Sequence, residues 1–94
     1  MSYTKDFTVT KGTWTLLIDG QTSGFVQLKD DGPVLIAVAA SAPAVDSEDA
    51  LILDERNIKA ISFSALEVSD KVYARSIHDE TNTVAACATG TAPA

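Results

Sequence analysis

The apolar residues of this 94-residue chain come in short runs, and their spacing restricts the fold more than any other feature of the sequence. Each run is about five to seven residues long and is bounded by Gly, Pro, Asp, Asn or Ser, and no stretch sustains the 3.6-residue period of an amphipathic helix. This layout predicts an all-β protein. The candidate strands are residues 7–10, 13–18, 25–29, 33–39, 50–53, 58–64, 71–76 and 83–89.

Turn signals recur roughly every 8 to 12 residues between these strands, which is typical of a β-sandwich or a small barrel. We therefore predict a single domain over residues 1–94, built as a small antiparallel β-sandwich (jelly-roll-like) or a barrel of about eight short strands. We expect a flexible N-terminal arm at about residues 1–6 and a flexible C-terminal tail at about residues 90–94.

The connections between strands carry predictions of their own. Asp-Gly at 19–20 and Asp-Asp-Gly-Pro at 30–33 contain residues that tolerate positive φ, and both predict turns. The polar loop at 78–82 is the expected hairpin connection between the last two strands. The stretch at 40–50 is too long for a tight turn, so we expect it to cross between sheets, and Pro43 disfavours a long helix there.

Side chains two apart on a strand share a face of the sheet, and this alternation assigns the core. Trp14, Leu16 and Ile18 share one face, which predicts that Trp14 lies in the core. Ile61 and Phe63 share a face as well, with the intervening serines on the other side. Strand 33–39 is apolar on both faces, which indicates a central strand or one covered by another chain.

The strand at 71–76 presents the most conspicuous polar pair. Val72 and Ala74 have the parity of core residues, so Tyr73 and Arg75 are expected to project outward, toward solvent or a neighbouring chain. Tyrosine and arginine are enriched at protein interfaces, although an exposed strand can carry them without a partner.

The charge balance excludes several classes of partner. Thirteen acidic residues against seven basic ones give a net charge of −6 and a pI near 4.4, so phosphate backbones and anionic lipids are repelled and we expect no nucleic-acid or membrane partner. The N-terminus lacks the apolar core of a secretion signal, and no apolar run approaches the roughly 20 residues of a membrane helix. We expect the chain to be made in the cytoplasm and to stay soluble.

No set of residues predicts catalysis. His78 is the single histidine and sits in a predicted loop between acidic neighbours, without a nucleophile beside it in sequence, so we expect no enzymatic activity. Cys87 is the single cysteine, which excludes an internal disulfide and a cysteine-zinc cluster and predicts a small packed side chain. No glycine-rich phosphate loop occurs and no cofactor is implied.

An acidic stretch offers the remaining candidate for ligand binding. The carboxylates lack the alternating spacing and the glycine of a calcium loop, so a solvated acidic loop is the favoured interpretation and a weak cation site between subunits is the alternative. The residues concerned are Asp46, Glu48, Asp49, Asp54 and Glu55.

The order of the segments at 12–20, 26–43 and 51–76 resembles a known family. The most specific parts are GPVLIAVA followed by AP, and DKVYARS after FSAL, within a likeness that spans residues 7–89. The chain is similar to the small all-β virion structural proteins of tailed bacteriophages, of the capsid decoration or cement type.

The resemblance implies a structural role in a virion. Its members are short, sandwich-like and often trimeric, and several decorate the outer face of the head. The implied partners are the major capsid protein and further copies of this chain in a homotrimer, and the implied location is the capsid surface after synthesis in the host cytoplasm. Contacts across neighbouring subunits would involve Tyr73 and Arg75, together with Tyr3 and Phe7 near the N-terminal arm.

Three functional classes therefore remain to be separated. The favoured one is a decoration protein that stabilises the shell. The alternative is a receptor- or carbohydrate-binding module of a tail or head appendage, for which Trp14 and Tyr73 would supply the aromatic platform. A small hydrolase using His78 is the third and least favoured.

Overall fold

The computed structural model describes residues 3–21, 23–30, 32–44, 50–56, 58–64, 66, 70–77 and 81–89. It contains eight strands and, within those ranges, no helix. Every candidate strand is present, with ends that differ by a few residues from the prediction. The strands are β1 (Tyr3–Val9), β2 (Thr15–Asp19), β3 (Ser23–Leu28), β4 (Val34–Ala39), β5 (Leu51–Leu53), β6 (Ala60–Phe63), β7 (Lys71–Ser76) and β8 (Asn82–Thr89).

The strands form two four-stranded antiparallel sheets. Sheet A has the order β1-β8-β3-β6 and sheet B the order β2-β7-β4-β5. The pairs β1·β8, β2·β7, β3·β6 and β4·β5 are those of one long hairpin folded at the β4–β5 connection. The pairs β3·β8 and β4·β7 arise where that hairpin wraps around itself. This is the topology of an eight-stranded jelly roll, so the predicted antiparallel sandwich is confirmed.

The main core fills the space between the two sheets. Ile61 and Phe63 pack against it while Ser62 and Ser64 are exposed, as the alternation predicted. Complete burial of one valine, leucine or isoleucine side chain contributes about 1.5–3 kcal/mol to the free energy of folding. The buried members are Val9, Leu17, Ile18, Val26, Leu28, Val34, Ile36, Leu53, Leu66, Val72, Ala74, Val84, Ala86 and Ala88.

A buried polar network closes one end of the sandwich. The Asn82 side chain accepts a hydrogen bond from the Gly32 backbone N–H at 2.9 Å and donates one to the Ser76 hydroxyl at 3.0 Å. That hydroxyl donates in turn to the Val9 carbonyl at 3.0 Å. Asn82 and Ser76 are both buried, so the network joins β1, β7 and β8 to the turn before β4.

Two turn predictions are confirmed by backbone geometry. Gly20 has φ of 74° and Gly32 has φ of 71°, the left-handed region that glycine adopts without a Cβ penalty. Gly20 directly follows β2, and Gly32 precedes β4.

Two connections differ from the prediction. β4 and β5 pair directly within sheet B, so the 40–50 stretch joins neighbours in one sheet and does not cross between sheets. β7 lies in sheet B and β8 in sheet A, so the loop predicted as a hairpin at 78–82 instead lies in the connection that crosses between the sheets. In the wrapped hairpin every connection except β4–β5 changes sheet, and loop length carries no information about that choice.

The predicted N-terminal arm is mostly strand. Residues 3–6 belong to β1 and pair with residues 85–88 of β8. Residues 1 and 2 of the arm and the predicted tail at 90–94 lie outside the described residues.

Candidate interaction surface

Tyr73 and Arg75 lie on the outer face of sheet B, as their parity predicted, but the expected exposure is wrong. Each is only 7% exposed. Tyr73 packs with Trp14, Leu35 and Ala37, and we call these four residues the outer cluster. The face opposite the main core therefore has a small core of its own, and neither side chain presents a surface to another chain.

Trp14 is buried, at 8% exposed, as predicted, but it packs in the outer cluster and not on the face of Ile18 with which it was grouped. The β2 register against β7 shifts between Leu16 and Ile18, so Leu17 and Ile18 both enter the main core. This bulge breaks the alternation that grouped Trp14 with Ile18. Trp14 and Leu16 remain on the outer face, where Leu16 is partly exposed.

Polar contacts fix the position of Trp14. The Arg75 guanidinium lies over the indole ring, with its central carbon 5.2 Å from the ring centroid. Arg75 Nη1 also donates to the Lys11 carbonyl at 3.4 Å, and the Trp14 Nε1–H donates to the Ala44 carbonyl at 2.9 Å. These contacts attach the β1–β2 loop and the start of the β4–β5 connection to the outer face of sheet B. β4 is apolar on both faces because it is a central strand, and its second face supplies Leu35 and Ala37 to the outer cluster.

The other two predicted interface residues lie on β1. Phe7 is half-buried and packs against the main core, with the Lys5 ammonium 5.2 Å from its ring centroid. Tyr3 pairs through its backbone with Ala88 at the start of the strand. Phe7 thus has a structural role inside the sandwich.

The residues considered for chemistry do not converge in the described part of the chain. His78 and the carboxylates at 46, 48 and 49 lie outside it, while Asp54 and Glu55 follow β5. Among the described residues, no group of three or more His, Cys, Asp or Glu side chains is placed to hold a metal ion. The same residues contain no helix with the length and hydropathy that a membrane span requires.

The most exposed of the large apolar side chains in the described residues lie on β5 or just after it, at one edge of sheet B. Leu51 is 51% exposed, Ile52 is 53% exposed, and Ile58, in the connection after β5, is 60% exposed. We call these three side chains, with the backbone side of β5 along which no described strand lies, the β5 edge. Covering their exposed halves would contribute roughly 2–4 kcal/mol. Sequence reasoning missed this site because a short apolar run is ordinary for a buried strand.

The remaining sheet edges are protected in ways that β5 is not. β1 carries the exposed charges of Lys5 and Asp6, β2 has the bulge at Leu17 and ends on Asp19, and β6 has the exposed Ser62. Charges, bulges and polar side chains all hinder the addition of another strand. β5 contains only Leu-Ile-Leu, and within the described ranges its short length is the one protecting feature.

The described side chains on the outer face of sheet A are mostly small or polar. Phe25 is its one large exposed apolar residue and lies in register between Cys87 and Ser62. Cys87 is a free thiol and is half-buried on that face, so it is less enclosed than the packed residue that was predicted. One aromatic ring among small neighbours does not form an extended platform.

Comparison of this chain with models of known protein families, with curated proteins and with solved structures gives no match. The likeness to phage virion proteins therefore stays a prediction made from sequence features. The function has to be inferred from the surface itself.

Proposed function

We propose that this chain is a non-enzymatic structural protein of a bacteriophage virion, which decorates the outer face of the head. It binds the major capsid protein and further copies of itself, and it stabilises the shell by contacts across neighbouring subunits. The jelly roll is used by capsid and lectin domains alike, so the fold does not select this function. The observation that carries the proposal is the β5 edge, an apolar strand edge that no described strand covers.

The energetics of that edge favour a repetitive partner. The roughly 2–4 kcal/mol available from its three side chains is at or below the 4–15 kcal/mol estimated for the lost freedom of association. A single contact of this kind is weak. A shell offers many identical sites, and a protein that engages two or three of them at once, as a trimer does, gains affinity from effective concentration.

The alternative of a carbohydrate-binding module loses its platform. It depended on Trp14 and Tyr73, and both rings are committed to the outer cluster. A sugar stacks on an exposed aromatic face, and these two faces are covered by protein.

The test uses heads of the encoding phage assembled without this chain. Added protein should bind in a saturable and stoichiometric manner and should raise the temperature at which the heads rupture, because bound ligand stabilises the state that binds it. Sedimentation of the free protein checks the trimer independently. Absence of both binding and a thermal shift would refute the proposal.

A further inference from the structure

We infer that the β5 edge binds an extended segment of its partner as an added strand, and that this segment is apolar with lysine or arginine at its ends. The inference relies on the proposed function only for naming that partner as a shell protein. The chemistry of the docked segment follows from the residues at and beside β5.

The backbone geometry of β5 suits strand addition. β5 pairs with β4 on one side, and no described strand lies along its other side. An edge of this kind presents N–H and C=O groups that an extended peptide can pair with. Leu51 and Ile52 point to opposite faces, so an added strand of alternating pattern would meet an apolar side chain on each face.

The charges beside β5 select the partner. Asp54 and Glu55 follow the strand directly, and the sequence has three more carboxylates at 46, 48 and 49. Against these five carboxylates stand Arg56 and Lys59, so residues 46–59 carry a net charge of −3. Glu55 is exposed, and Asp54 accepts a hydrogen bond from the Arg56 backbone N–H at 3.1 Å in the turn. A second copy pairing through β5 would bring two acidic segments together, which is repulsive. A segment with basic ends is attracted instead.

The test uses the full chain, isotopically labelled, and two synthetic strand peptides. One peptide alternates valine and threonine and carries two lysines at each end; the other carries glutamates in place of the lysines. Amide shifts in the NMR spectrum should concentrate on residues 50–54, and the lysine peptide should bind at least tenfold more tightly at low salt. Raising the salt to about 1 M shortens the screening length to about 3 Å and should reduce that preference.

Three variants make the result specific. Ile52→Lys places a like charge on the edge and should lower the affinity for the lysine peptide at least tenfold. Phe25→Lys makes the same change on the outer face of sheet A and should leave that affinity unchanged. Glu55→Lys should weaken the lysine peptide at least threefold and strengthen the glutamate peptide. Circular dichroism confirms that each variant is folded.

The outcomes separate this inference from the proposed function. Equal binding of both peptides, shifts away from β5, or self-association that is lost in Ile52→Lys would overturn the inference. Heads that bind the wild type and Ile52→Lys equally would also overturn it while leaving the decoration role intact. Peptide binding at β5 without any binding to heads would support the docking chemistry and refute the decoration role.

Discussion

Replacing Trp14 by alanine should remove a large part of the stability of this protein. The substitution deletes a buried indole, its contact with the Arg75 guanidinium and its hydrogen bond to the Ala44 carbonyl. Tryptophan or phenylalanine to alanine changes in cores cost about 3–5 kcal/mol. We expect about 3 kcal/mol, near the low end, because Trp14 lies in the β1–β2 connection, whose backbone can move to fill part of the cavity.

That loss is large against the whole. At 0.05–0.15 kcal/mol per residue, a domain of this length is stable by roughly 5–14 kcal/mol, and each kilocalorie lost lowers the Tm by about 4–8 °C. Trp14→Ala should therefore lower the Tm by about 12–24 °C. The measurement is thermal and urea unfolding followed by far-ultraviolet circular dichroism, because the variant lacks the only tryptophan.

Trp14→Phe is the matched control. It keeps an aromatic ring beneath Arg75 and loses the Nε1–H donor to Ala44, so it should cost only about 1 kcal/mol. In the wild type, the indole fluorescence should be blue-shifted in the folded state and should shift to the red on unfolding. A Trp14→Ala protein within about 1 kcal/mol of the wild type would refute the assignment of Trp14 to a packed cluster.

Three further substitutions test other parts of the fold by the same unfolding assay. Asn82→Ala removes two buried side-chain hydrogen bonds and should cost about 2–3 kcal/mol, whereas stability close to the wild type would contradict the network. Gly24→Ala places a Cβ against the Ile18 side chain and should cost about 1–3 kcal/mol; a neutral result would mean that the sheets separate there without penalty. Lys29→Met removes an exposed ion pair with Asp6 and should change stability by less than about 1 kcal/mol, with a larger loss indicating a buried role for the pair.

The strands were predictable because each is a local pattern. Short apolar runs between turn residues identified all eight, and alternation placed Ile61 and Phe63 correctly against the core. The bulge at Leu17 was not predictable in this way, since it depends on how β2 pairs with β7 and not on the β2 sequence alone. Because of this one-residue shift, Trp14 and Ile18 lie on opposite faces of sheet B.

The exposure of side chains was the least predictable property. Parity placed Tyr73 and Arg75 on the outer face correctly, but parity says nothing about what covers that face. Trp14 and the residues near Ala44 come from other parts of the chain, so their arrival over β7 is a tertiary event. The β5 edge was missed for the converse reason, because Leu-Ile-Leu gives no sign that the strand lies at the border of a sheet.

This topology leaves four sheet edges whatever the sequence, at β1, β2, β5 and β6, and the residues decide which edge is available. Because the proposed binding edge is β5, loss of binding can be separated from loss of folding. Substitutions at Tyr73 or Arg75 disturb the outer cluster and should reduce binding through loss of structure. Ile52 points away from the main core and is half exposed, so its substitution should reduce binding in a protein that remains folded. A screen for variants that fail to bind heads but keep the wild-type Tm should therefore select changes at β5 and not at β7. Enrichment of folded, non-binding variants at β7 would show that the interaction surface is not the β5 edge.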